Sequence, residues 1–202
     1  MLAPGEQRRR QRRRLLCLGV LTAGAVSLAV AVALAAPSRP VVIQDAAADV
    51  TGPLDLKRAA LNRASDGRLR AILTFAGKVT PRTLLASSGP PGSACVRVWT
   101  DPDADPAATR PDRLVCVTAR SEDELRAGVF QQRAAGLARR VASASVKANA
   151  SGRSLVIRIS QSSLGRPELI RFAVESTLPG CDRTTCIDTA PDAGAVRRFG
   201  LR

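Results

Sequence analysis

The sequence predicts an all-β fold: an antiparallel two-sheet β-sandwich, jelly-roll or immunoglobulin-like, placed after one N-terminal apolar helix. Three observations predict it. About eight short runs rich in β-branched and apolar residues recur at spacings near ten residues, punctuated by Gly, Pro and Asp. No long amphipathic helical pattern separates them. Several runs alternate apolar and polar residues, as half-buried antiparallel strands do. A single sheet would leave one face wet and the core thin, so two packed sheets are the better expectation.

The chain opens on a different kind of segment. Arg8, Arg9, Arg10, Arg12, Arg13 and Arg14 precede residues 15–36, which are 22 residues without a charge. At about 1.5 Å per helical residue this run spans about 33 Å, enough for the hydrocarbon core of a bilayer. The positive-inside rule keeps the Arg cluster in the cytoplasm and sends everything after Pro37 outside. The run exceeds an ordinary signal core, which favours a retained anchor, while Ala33, Leu34 and Ala35 form a small-x-small pattern that would give a secreted domain on cleavage. The expected organisation is a basic cytoplasmic segment at 1–14, a transmembrane anchor or signal helix at 15–36, a short linker at 37–44 and an extracytoplasmic domain at 45–202. Arg12 to Leu16 loosely matches a twin-arginine signal with Gln11 in place of Ser or Thr, and Cys17 lies too early to be a lipoprotein cysteine.

The exported domain is read in order from there. Val41 to Ile43 is a candidate first edge strand. Thr51, Gly52 and Pro53 signal a turn, and Leu54 to Asn62 and Arg68 to Phe75 then flank Ser65, Asp66 and Gly67 as a hairpin. In the second arm Leu69, Ala71, Leu73 and Phe75 alternate with Arg68, Arg70, Ile72 and Thr74, giving one apolar face. Lys78 to Ser93 reads as connection with one helical turn near Thr83, because Pro81, Pro90 and Pro91 bar a regular strand.

Cys95 to Thr100 and Leu114 to Thr118 are expected as antiparallel strands joined by an Asp/Pro loop. With Cys95 opposite Cys116, Val96 faces Val115, Arg97 faces Leu114, and the cysteines fall within disulfide reach. Four exported cysteines allow three pairings; Cys95 with Cys116 and Cys181 with Cys186 needs only local closure, and leaves Cys17 free in the membrane. Ser121 to Glu124 reads as a helix N-terminus of one or two turns, with Ser121 as cap. Val129 to Gln132, Arg140 to Lys147, Ser154 to Ser160 and Leu169 to Ser176 complete the strands, with Asn149 to Gly152 as a turn. The tail from Leu178 reads as irregular and held by its disulfide.

Composition narrows the function. The chain of 202 residues has no His and no Tyr, one Trp and one Met, which removes imidazole-based nucleophilic sites and the usual His-ligated metal centres. Net charge is +14, of which residues 1–36 carry six Arg and one Glu; the remaining 25 basic and 16 acidic residues leave +9 for the rest. Few aromatics accompany those charges, so nucleic acid is not an expected partner. Two readings of the basic surface stand: an Arg-rich solvated exterior, or a basic face lying against an anionic membrane or acidic surface polymer.

A family pattern runs through Asp45, Asp49, Val50, Gly52 to Asp55, Gly67 to Leu69, Phe75, Thr100 and Asp101, Leu155 to Ile157, Leu164 and Gly165, Phe172, and Asp188 to Asp192. It resembles the β-sandwich modules typified by family 9 carbohydrate-binding and DOMON-like domains. The chain also looks like membrane-anchored exported proteins of actinobacteria whose role is unassigned. The resemblance implies a jelly-roll-like sandwich that binds a ligand, with calcium as the cofactor it suggests. Sugar-binding members clamp ligands between aromatic rings, whereas Trp99 is the one large amphipathic ring here and is read as a core or sheet-face residue beside the hairpin. Haem is unsupported, since His is absent and Met1 is the one Met.

The acidic loop is a second pointer to calcium. Asp101, Asp103, Asp105 and Asp112 fall at positions 1, 3, 5 and 12 of a calcium-loop spacing, with Thr109 at 9. Pro106 stands where such a loop needs a Gly, and Asp112 where a Glu is expected; the competing reading is a solvated hairpin tip. The function expected is a membrane-anchored extracytoplasmic binding or interaction module at the cell surface, with a cell-wall polymer or membrane protein as partner. No residue is assigned a catalytic or cofactor-binding role. The alternatives are a carboxylate-dependent glycan hydrolase, using Asp45, Asp49 and Asp55 or Asp101, Asp103 and Asp105, and a structural subunit of a membrane complex.

Overall fold

The computed structural model describes residues 39–46, 50–133, 137–181, 186–192 and 194–201. The anchor segment at 15–36 and Asp49 lie outside them. Among the described residues no helix is long and apolar enough to cross a membrane. They belong to one compact unit, 35–202.

The unit is mostly antiparallel β structure in a nearly closed sheet. Among the described residues eleven strands form: β1 Val41–Gln44, β2 Leu56–Arg63, β3 Leu69–Phe75, β4 Ser93–Trp99, β5 Arg113–Ala119, β6 Leu125–Gln131, β7 Arg139–Ala148, β8 Ser154–Ile159, β9 Leu169–Thr177, β10 Ile187–Ala190 and β11 Arg197–Gly200. Their spatial order is β1-β2-β3-β8-β7-β6-β5-β4-β9-β10, and β11 also pairs with β9. The ten-residue strand β7 is the pivot. Its first half pairs with β6, and Ser145 to Ala148 pair with β8.

Strand formation follows the alternation in the sequence. Leu69, Ala71, Leu73 and Phe75 on β3 point to one core, which also takes Leu155, Ile157 and Ile159 from β8, Val96 and Val98 from β4, Val115 and Val117 from β5, and Ile170, Phe172 and Val174 from β9. Period two puts the intervening residues on the outside. The β2–β3 turn forms as expected at Ser65 to Gly67: Gly67 adopts φ +75°, a left-handed conformation that favours Gly, and the Arg68 N–H donates to Asp66 Oδ1 at 3.0 Å.

Three expectations are corrected. Ser121 to Glu124 form the β5–β6 hairpin turn instead of a helix: the Arg120 N–H donates to the Glu124 carbonyl, and the Ser121 hydroxyl accepts from the Asp123 N–H. Pairing with β5 satisfies the backbone from Leu125 onward, so β6 starts four residues before Val129. The tail is not wholly irregular, because β10 and β11 dock in succession on the edge of β9 opposite β4. The helical turn near Thr83 is present as α1, Pro81–Leu84, capped by Thr80.

Where the sheet approaches closure, side chains replace the backbone ladder. The Leu56 N–H donates to Asp188 Oδ2 at 2.6 Å, and the Ser176 hydroxyl donates to the Leu54 carbonyl at 2.6 Å. Asp188 and Ser176 face each other on β10 and β9, and both are buried. They occupy edge groups that would otherwise be unpaired inside the protein.

Candidate anion-binding face

The outer face of β2, β3, β8 and β7 carries rows of residues that the ladder brings side by side. One row reads Asn62, Arg70, Arg158 and Ser145; the next reads Ala60, Ile72, Val156 and Lys147. Arg70 and Arg158 are direct partners across β3 and β8. Like charges placed so are destabilising unless something negative lies near them.

Beside them Arg68, Ser145, Lys147, Val156 and Arg158 line a groove of about 300 Å³. Val156 is the apolar member of that lining, and Arg68, Lys147 and Arg158 are its cations. The carboxylate reaching this group is Asp66, with Oδ2 at 3.5 Å from Arg158 Nη1, both ends solvent-exposed. An exposed pair of that length contributes roughly 0–1 kcal/mol. Among the described residues no carboxylate pairs with Arg68, Arg70 or Lys147, and Arg70 Nε is buried without a hydrogen-bond partner. The turn that presents Arg68 is fixed from the other side, where Gln161 Nε2 donates to the Gly67 carbonyl at 2.9 Å. Sequence reasoning missed this cluster. Its members are far apart in the chain, and its signal was the alternation that placed Arg68 and Arg70 opposite the apolar face of one strand.

The acidic loop is held by hydrogen bonds of its own. Asp112 Oδ2 accepts from the Thr100 N–H at 2.7 Å and from its hydroxyl at 3.0 Å, closing the base of the loop. Asp101 Oδ1 accepts from the Asp103 N–H, and Asp105 Oδ1 accepts from the Ala107 N–H. Each is a local backbone contact of the kind Asp makes in turns. The four carboxylates are not brought together: among the described residues no group of three or more His, Cys, Asp or Glu could hold a metal ion.

The loop folds over the outside of β4 and β9. Trp99 is 2% exposed although it faces away from the core, and its Nε1–H donates to the Thr109 carbonyl at 3.2 Å. Arg171, the partner of Trp99 across β9, donates to the carbonyls of Ala104 and Pro102. Arg97 stacks over the Trp99 ring, 5.1 Å from its centroid, and lies 3.6 Å from Glu175. Burial raises the pKa of Glu175, an effect that Arg97 opposes. Trp99 is thus a covered sheet-face residue.

Of the carboxylates considered for hydrolysis, Asp55 is buried against Lys57 Nζ at 2.5 Å, and Asp45 follows β1. Asp188, whose buried role the sequence did not reveal, serves the seam. Cys95 and Cys116 lie opposite each other with Cα atoms 4.1 Å apart, and the register has Val96 against Val115 and Arg97 against Leu114, as expected. Cys181 and Cys186 form a second pair at disulfide distance, with Cα atoms 6.1 Å apart. No protein-family model matches this sequence, and the search of curated proteins found no match.

Proposed function

We propose that this chain is a membrane-anchored extracytoplasmic binding module that recognises an anionic partner through the groove between Arg68, Lys147 and Arg158. The observation that carries the reading is the concentration of cations on one outer face, where among the described residues Asp66 is the one carboxylate paired with them. Guanidinium groups donate in a planar fork that suits phosphate, sulfate or carboxylate, and the Ser145 hydroxyl adds a neutral donor. The anchor is the uncharged run at 15–36 behind its Arg cluster. The scaffold is a two-sheet sandwich folded at β7, a reading supported by the split pairing of that strand and by the single core beneath it. The likeness to family 9 carbohydrate-binding modules is compatible with an acidic glycan as ligand.

Two measurements test this. Protease added to intact, wall-stripped cells should digest the domain; a protected domain removes the export reading. Full chain in neutral detergent should bind fluorescent dextran sulfate with a steep salt dependence, weakened more than about tenfold by Lys147→Glu with Arg158→Glu. Undiminished binding in that variant would place recognition elsewhere.

A further inference from the structure

We infer that the groove's partner is the anionic phospholipid surface of the membrane that holds the chain, so that the domain lies down on its own bilayer. This inference rests on the anchored binding module proposed above. Three observations carry it.

The first is position. Val41 begins the ladder and stands level with Leu61, Ala71, Ile157 and, one strand on, Val146. The chain leading back to the apolar run therefore leaves the sheet beside the row that holds Arg70, Arg158 and Ser145. Residues 37–40 can extend at most about 14 Å, which bounds the length of chain between Val41 and the apolar run.

The second is charge. Arg68, Arg70, Arg158 and Lys147 face outward together, and Arg70 is set directly against Arg158 across the ladder. A phosphodiester between them would take charge-assisted hydrogen bonds from both and relieve their repulsion. The third is the groove lining. Val156 puts an apolar side chain among the cationic groups that line the groove, with Ile72 its partner on the next strand, which matches a headgroup with its glycerol ester below better than a fully hydrated polyelectrolyte.

The test uses the full chain in lipid nanodiscs and follows amine acylation of Lys147 by mass spectrometry, with Lys78 as the internal reference. Lys78 lies just past the far end of β3, against Gly152. Discs containing roughly one-third phosphatidylglycerol should slow acylation at Lys147 about threefold or more relative to phosphatidylcholine discs, and Lys78 should change little. About 1 M salt should abolish the difference, because the Debye length falls to about 3 Å. Arg68→Glu with Arg158→Glu should also abolish it, while unchanged Trp99 fluorescence reports an intact fold. Equal slowing of Lys147 and Lys78, or equal rates at Lys147 in both kinds of disc, overturns the membrane inference. Slowing by soluble dextran sulfate in phosphatidylcholine discs, without slowing by anionic discs, overturns it too but leaves the binding module standing. No slowing by either anion overturns both.

Discussion

The two outer faces of the sheet use arginine in opposite ways. On β4 and β9, Arg97 has Glu175 and the Trp99 ring, and Arg171 holds the carbonyls of the acidic loop, so each guanidinium is answered from within the chain. On β3, β8 and β7, Arg68, Arg70 and Lys147 find no carboxylate among the described residues, and Arg158 has one exposed partner. A loop closes the first face, and the second stays open with a groove. Arginine count says nothing about function here. What distinguishes a structural arginine from a binding one is whether the fold delivers its counter-charge.

If that contrast is real, perturbing the closed face costs stability and perturbing the open face does not. The largest effect should come from Trp99→Ala, which removes a buried ring and the anchor of the loop; we expect a loss of about 3–5 kcal/mol in denaturant unfolding. A loss under about 1 kcal/mol would mean that the loop does not hold the ring down. Next, Cys95→Ser with Cys116→Ser should cost about 3 kcal/mol on the loop-entropy estimate. Peptide mapping without reductant should recover Cys95 linked to Cys116, and a Cys95 to Cys181 peptide would refute the hairpin pairing.

Asp188→Ala leaves the Leu56 N–H buried and unsatisfied, so about 1–3 kcal/mol should be lost, with the first protected amides to exchange lying at the start of β2. On the open face Arg70→Gln should stabilise by about 0.2–1 kcal/mol, since it removes a like charge opposite Arg158. Destabilisation there instead would show that the face is internally balanced.

Glu175 gives a pH-dependent version of the comparison. Its folded pKa is raised by burial above the ordinary value of 4.5, so the folded state favours the protonated acid. Its contribution is therefore fully present below about pH 4.5 and is lost as pH rises through the raised folded value. Glu175→Gln should narrow the stability gap between pH 4 and pH 7; an unchanged gap would discount burial as the cause. The smallest effect concerns the acidic loop. Asp101, Asp105 and Asp112 already accept backbone hydrogen bonds, so millimolar calcium should leave Trp99 fluorescence unchanged. A calcium-dependent change abolished by Asp103→Ala would mean that the loop regroups its carboxylates around the ion.

The sequence by itself determined the features that depend on near neighbours. Period-two alternation marked β3, β8 and β9, and Asp66 with Gly67 marked the β2–β3 turn, because side-chain direction and turn geometry are local properties of the backbone. The Cys95 to Cys116 register was legible for the same reason, since two adjacent strands and one loop fix it. Tertiary structure decided what depends on distant partners. Ile187 to Ala190 and Arg197 to Gly200 become strands only by docking on β9, and four residues carry too little pattern to announce it. Asp188 looks like any tail aspartate until Leu56 reaches it across the seam. The groove joins Arg68 to Lys147 and Arg158 through two ladders, so its charge density exists only once β3, β8 and β7 lie side by side.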